Sequence, residues 1–162
     1  MATSSPERAV PDLSFMLAHA ARVLATRMTA AFAEIGITPR DYCVLYHATS
    51  GELTQIELAR LSDLDKTTMV VTLDDMEAAG YAERRPSRAD RRARVVVVTD
   101  AGRRLVAAGQ KIADRVHREV LAELPPASRG VFVDTLGGLV DGLLAEPVEC
   151  ERPVRRPRQA AS

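Results

Sequence analysis

Apolar residues recur three and four positions apart from Leu13 to Ile35. Leu13, Leu17, Ala20, Leu24, Ala31 and Ile35 share one stripe, widened by Phe15, Met28 and Phe32. That spacing predicts a long helix whose broad apolar face needs something large to pack against. Gly36 ends it. Thr38-Pro39 then starts a second helix, with Thr38 as N-cap and proline at the first helical position, and "RDYCVLYHA" forms its body. After a break at "TSGE", Thr54-Gln55-Ile56-Glu57 is a capping box that opens a third helix through about Leu61. Asp65 caps a fourth helix running to Ala79, and Gly80 supplies the left-handed exit.

Beyond Gly80 the pattern turns extended. "YAERRP" predicts a short strand and Arg94 to Val98 a second, joined by seven or eight polar residues that include a proline, which together make a β-hairpin with a long tip. Thr99 caps the next helix, "DAGRRLVAAGQKIADRVHREVLAEL", and Pro125-Pro126 stops it. A last helix, Val131 to about Leu144, carries Phe132, Leu136, Leu139, Val140 and Leu143 on one face. Its Gly137, Gly138 and Gly142 lower helix propensity but allow another backbone to come close. The fold class expected is therefore mainly α with a small β-hairpin: a winged helix-turn-helix flanked by N- and C-terminal dimerisation helices. The expected divisions are a disordered lead over 1–12, an N-terminal dimerisation helix over 13–37, a winged lobe over 38–98, C-terminal dimerisation helices over 99–146 and a flexible tail over 147–162. A winged helix does not need three extra apolar helices to cover its own core, so a second copy of the chain is expected to cover them. Leu13, Leu17, Phe132, Leu136, Leu139 and Leu143 are the expected interface.

Charge changes this picture at one place. The chain has 46% apolar and 27% charged residues and a formal net charge of zero, yet "RRPSRADRRAR" puts six arginines, Arg84, Arg85, Arg88, Arg91, Arg92 and Arg94, within eleven positions. Such density at a hairpin tip points to an anionic partner. No apolar run approaches the roughly 20 residues of a membrane helix, and "MATSSPERAVPD" lacks the apolar core of a secretory signal, so a cytoplasmic location and no membrane partner are expected. Cys43 sits in an apolar run as an inert thiol, and Cys150 in a Pro/Arg-rich tail. Neither they nor His19, His47 and His117 show metal-ligand spacing, and no cofactor is expected. The chain has no dinucleotide fingerprint, P-loop, zincin motif or nucleophile elbow, which argues against an enzyme.

In a helix-turn-helix the second helix enters the major groove and its N-terminal residues reach base edges. Here that is "DKTTMVVTLDDMEAAG". Steps of 100° put Met69, Leu73 and Met76 on the core side and turn Thr67, Val70, Val71, Asp74 and Asp75 away from it. The two outward valines either pack on a neighbouring element or contact thymine methyls in the major groove. Lys66 against Asp65, Asp74, Asp75 and Glu77 makes this helix acidic, so non-specific affinity must come mainly from the hairpin. Its tip can follow the backbone and place an arginine in a narrow minor groove. Asp90, two residues before Arg92, is expected to orient a neighbouring guanidinium. The rival reading is a winged helix that binds protein without specific DNA binding; the acidic helix favours it and the basic wing opposes it.

The run "LTQIELARLSDLDKTTMVVTLDDMEAAGYAERRPSRADRRARVVVVTDAGRRL" resembles the core of MarR-family transcriptional regulators. The shared features, in order, are an ELA-type third helix, a D-K-[ST]-T helix start, an E-x-x-G-[LY] exit, a D-x-R wing and a V-x-[LV]-T-x-x-G exit. The resemblance covers about residues 13 to 144. It implies a homodimer formed by the first and last helices, binding a pseudo-palindrome in double-stranded DNA and probed by a small-molecule effector, most simply as a repressor that the ligand releases. It assigns Lys66, Thr67, Thr68, Val70 and Val71 to the groove and Arg85, Arg88, Asp90, Arg91, Arg92 and Arg94 to the wing. Thr38, Arg40 and Gln55 fall at phosphate-contacting helix starts. His19, Arg22, Tyr42, Tyr46 and His47 are candidates for a ligand pocket between the dimerisation helices and the winged lobe. The chain departs from the family in having Val70, Val71 and Asp75 where many members carry threonine, arginine and arginine, which favours methyl contacts and indirect readout over guanine readout. The hydroperoxide-sensing branch uses an early cysteine, where this chain has Phe15, Met16 and Leu17.

Overall fold

The computed structural model describes residues 12–87, 93–146 and 148. The expected lead over 1–11, the hairpin tip over 88–92 and the tail beyond 148, with Cys150, lie outside the described residues. The chain divides into two units, residues 1–119 and 120–162.

Within the first unit, α1 (Leu13–Phe32) is N-capped by Asp12, whose carboxylate accepts from the Phe15 amide at 3.0 Å. The helix begins at Leu13 as expected, with Asp12 as its cap. A 3-10 turn, Ala33–Ile35, tightens the end of α1, and Gly36 exits it at φ 71°. In α2 (Pro39–Ala48) Thr38 makes more than the expected cap. Its hydroxyl accepts from the Asp41 amide while the Asp41 carboxylate accepts from the Thr38 amide, a reciprocal capping box. The same device recurs at α3 (Gln55–Leu61) through Thr54 and Glu57.

Although Thr54 also makes the expected cap of α3, the two-residue strand β1 (Leu53–Thr54) was not anticipated. Two residues are too few to show alternation, so its partner defines it: Leu53 lies opposite Val96 and Thr54 opposite Val95 of β3 (Arg94–Val98). With β2 (Ala82–Pro86) the sheet has the order β1-β3-β2, antiparallel throughout. α4 (Lys66–Ala78) ends where expected, with Gly80 at φ 73° and the Tyr81 amide donating back to the Met76 carbonyl. One core gathers Val44, Leu45, Leu58, Met69, Leu73, Met76, Ala82, Val96 and Val98.

α5 (Asp100–Ala122) starts under Thr99, whose hydroxyl accepts from the Gly102 amide and donates to the Gly80 carbonyl. A second core joins Ala31 and Phe32 of α1 to Ile112, Ala113 and Val116 of α5. The α1 stripe is therefore buried only at its C-terminal end. Leu13, Phe15 and Met16 are exposed and Leu17 is half-buried.

In the second unit, α6 spans Pro126–Val140, beginning five residues before the expected Val131 and ending before Leu144. Pro126 occupies its first turn, where a missing amide costs nothing; the Pro-Pro pair starts this helix as well as following α5. None of its side chains is buried. A Cβ at Gly137 or Gly138 would meet nothing within 4 Å among the described residues, so the space beside them is open to another backbone. Close approach is seen on α5. A Cβ at Gly102 would clash with the Tyr81 carbonyl oxygen, and one at Gly109 with the Tyr42 ring.

Candidate nucleic-acid interface

The turn between α3 and α4 is built by Asp63, in the left-handed region at φ 50°, and by the Leu64 amide donating to the Ala59 carbonyl at 2.9 Å. Aspartate tolerates this conformation better than most side chains. Asp65 then caps α4 twice over, accepting from the Thr68 amide at 2.9 Å and from its hydroxyl at 2.6 Å. Those bonds hold the Asp65 carboxyl below the usual carboxylate range, the Thr68 hydroxyl contributing most.

Met69, Leu73 and Met76 are buried as expected, and Thr72 joins them by donating its hydroxyl to the Thr68 carbonyl. On the outer side, Lys66 and Thr67 are exposed. Thr68 is half-buried with its hydroxyl committed to the cap. The two valines differ: Val71 is 55% exposed, whereas Val70 is half-buried. Of the pair expected to face outward, Val71 alone stands clear.

The two strands are joined beyond Pro86 where the Ser87 amide donates to the Ala93 carbonyl at 2.9 Å. Arg88, Asp90, Arg91 and Arg92 lie outside the described residues. Arg94 is exposed at the start of β3. Arg85 is exposed and binds Glu83 through two nitrogens at 2.9 and 2.7 Å. Arg84, one of the six clustered arginines but not among the expected wing contacts, turns the other way. It lies opposite Val96, on the same face of the sheet as buried Ala82 and Val98, and its guanidinium reaches α4. One terminal nitrogen donates to Glu77; the other donates to Asp74 at 2.7 Å and to the Val70 carbonyl at 3.3 Å. The Arg84 amide donates to the second Glu77 oxygen at 2.6 Å. The acidity ascribed to α4 alone is thus offset by this arginine. Strand alternation was the signal that set Arg84 apart from Arg85, and charge density obscured it.

Thr38 and Gln55 begin α2 and α3, Thr38 with its hydroxyl in the capping box, and Arg40 is exposed in the first turn of α2. The pocket candidates fall into two groups. His19 stacks on Phe15 and bonds to Arg22 at 3.1 Å on the exposed side of α1. Tyr42, Tyr46 and His47 form a row of rings on α2, with Tyr42 also against Phe32. The Tyr42 hydroxyl donates to Gln110 at 2.7 Å, and burial raises its pKa. Cys43 is a free, half-buried thiol. Among the described residues no group of three His, Cys, Asp or Glu side chains could hold a metal, and no helix is long and apolar enough to cross a membrane.

Two short helices joined by a tight turn, the second with an open N-terminal face and followed by a basic hairpin, define a winged helix-turn-helix. The family can be named more closely. Residues 35–93 match the model of the MarR family. An uncharacterized HTH-type transcriptional regulator, YdgJ of Bacillus subtilis, is 30% identical over 93 residues, spanning 57% of this chain and only 56% of that relative. CouR of Rhodococcus jostii, solved bound to p-coumaroyl-CoA, aligns at TM-score 0.72 and 25% identity over 87% of this chain and 96% of its own. The transcriptional repressor CouR solved on a 23-mer DNA duplex aligns at TM-score 0.71 and 25% identity, over 79% and 92%. A Mycobacterium tuberculosis MarR family protein in complex with p-aminosalicylic acid aligns at TM-score 0.67 and 26% identity, over 78% and 97%. The resemblance read from the sequence holds: residues 35–93 match the MarR-family model, and the fold is similar to that of the solved MarR-family regulators.

Proposed function

We propose that the chain is a sequence-specific, double-stranded DNA-binding transcriptional regulator and not an enzyme. It acts in the cytoplasm as a homodimer on an inverted repeat, as a repressor released by a small-molecule ligand. One observation carries this reading: α4 presents Lys66, Thr67 and exposed Val71 toward its N-terminal end, in the same lobe as a hairpin whose strands carry exposed Arg85 and Arg94. That is the placement a recognition helix and wing need to meet one duplex in adjacent grooves. Val71 reads thymine methyls, while the wing arginines, with Arg40 at the start of α2, supply the salt-dependent affinity for phosphates. The DNA-bound and ligand-bound relatives support the same reading. The offset of Asp74 and Glu77 by Arg84 removes much of what favoured a protein-binding winged helix. A ligand pocket involving His19, Arg22, Tyr42, Tyr46 and His47 requires the partner copy to bring the two groups of rings together.

The test is to select fragments of the source genome with the purified chain and measure binding of the enriched duplex across salt. One inverted repeat is expected, with half-site centres about one helical turn, ~34–36 Å, apart. Enrichment of no sequence, together with retention that does not change with salt, would sink the proposal.

A further inference from the structure

Among the arginines of the hairpin, Arg84 is set apart by what it holds. It belongs to β2, two residues before that strand ends. Its backbone is fixed in the sheet opposite Val96, which is 2% exposed. From there its guanidinium and amide grip three places on α4: the Val70 carbonyl, the Asp74 carboxylate and both oxygens of Glu77. These points span two turns of the helix on one edge, and Val70 directly precedes the exposed Val71. The Arg84 side chain is 20% exposed and Glu77 33%, so that pair is less screened than the surface pair of Arg85 and Glu83, while the Asp74 carboxylate stays open to solvent.

We infer that Arg84 is a positioning residue for DNA reading: a clasp that locks the recognition helix to the wing strand so that both engage the same duplex. The inference rests on the DNA-binding function proposed above. The physical reason is preorganisation. If wing and helix moved independently, binding an operator would first have to order them, and that cost falls on specific binding, which needs both in register. Non-specific binding depends on total charge near phosphates and needs no such register. The clasp requires arginine in particular. Two terminal nitrogens held in one plane reach two different carboxylates and a carbonyl, whereas a lysine ammonium is a single point charge and cannot span them.

The experiment uses Arg84→Lys, which keeps the net charge, in the full chain. Affinity is measured for the selected duplex and for a scrambled duplex of equal length and composition. The expected result is about a tenfold or greater loss on the selected duplex, with the scrambled one within roughly twofold of wild type. Asp74→Asn is the second variant; the Asp74 side chain is 59% exposed, so the fold should survive, and preference for the selected duplex should again fall. Wild-type preference in either folded variant overturns the inference. Amide exchange of the free protein separates this from failure of the functional reading. Faster exchange in β2 and in the clasped stretch of α4 from Val70 onward is expected in Arg84→Lys whether or not DNA is bound. If wild type selects no duplex, the proposed function fails; unchanged exchange in the variant then overturns the clasp as well.

Discussion

Asp65 ends the turn of the helix-turn-helix and begins the helix proposed to read DNA, and its single carboxylate closes both of the bonds that do so. Glu57 does the corresponding work for α3, its carboxyl held low first by the Thr54 amide and then by the Thr54 hydroxyl. For both groups the folded pKa lies below the unfolded one. Their stabilisation is therefore complete above the unfolded value and is lost as pH falls through the folded value. Urea stability is expected to drop as pH is lowered through the carboxylate range. In Asp65→Asn, which keeps an acceptor but cannot be protonated there, the drop should be shallower. Asp65→Ala should lose roughly 2–4 °C in melting temperature at neutral pH. Equal pH slopes in wild type and Asp65→Asn would show that the cap carries no titratable stability. Asp65 was legible in sequence because a cap is a local pattern. Arg84 was not, because its partners lie seven to fourteen residues away on another element. Val70 and Val71 were separable only by packing, which a helical wheel does not contain.

Elements were legible where their signal was local and periodic. α2, α3, α4 and both hairpin strands start or stop at residues whose caps, glycines or alternation could be read directly. β1 and α6 departed from expectation for opposite reasons: β1 has no internal pattern, and Pro126 was taken as a terminator although the first helical turn accepts it. Close packing against glycine also occurs on α5, where the sequence did not single it out. Gly109 of α5 lies against Tyr42, whose ring is pinned by Phe32 and by the bond to Gln110. Gly109→Ala gains helix propensity but places a Cβ where the ring cannot give way. It should lower unfolding free energy by about 1–3 kcal/mol. Gly130→Ala, with open space around its Cβ, should instead raise it by roughly 0.5–1 kcal/mol. Both follow from denaturant midpoints at unchanged m-value, and the close approach is refuted if Gly109→Ala is as stable as wild type.

At the scale of the whole molecule, the winged lobe covers its own core, but two helices leave apolar side chains uncovered. α6 exposes Val131, Phe132, Val133, Leu139 and Val140, with Leu143 beyond its end, and α1 exposes Leu13, Phe15 and Met16. Uncovered apolar surface on this scale is uncommon in a stable monomer. A second copy of the chain is the proposed cover, with isologous contacts that repeat on both protomers. The sequence stripe already suggested this, since the apolar face was larger than one copy could bury; which part of it stays open became visible only with Phe32 and Ala31 packed on α5. Because folding and association would then be linked, the melting temperature should rise with protein concentration. Removing residues 126–162 deletes α6 while keeping every residue of the winged lobe. The shortened chain should sediment as a monomer and lose the concentration dependence. It should also bind the selected inverted repeat far more weakly than the full chain while retaining weak, salt-sensitive binding to any duplex, because a single lobe keeps its phosphate contacts but not the paired half-site. A shortened chain that still sediments as a dimer would move the interface off α6, and one that binds the inverted repeat as tightly as the full chain would show that half-site pairing does not depend on it.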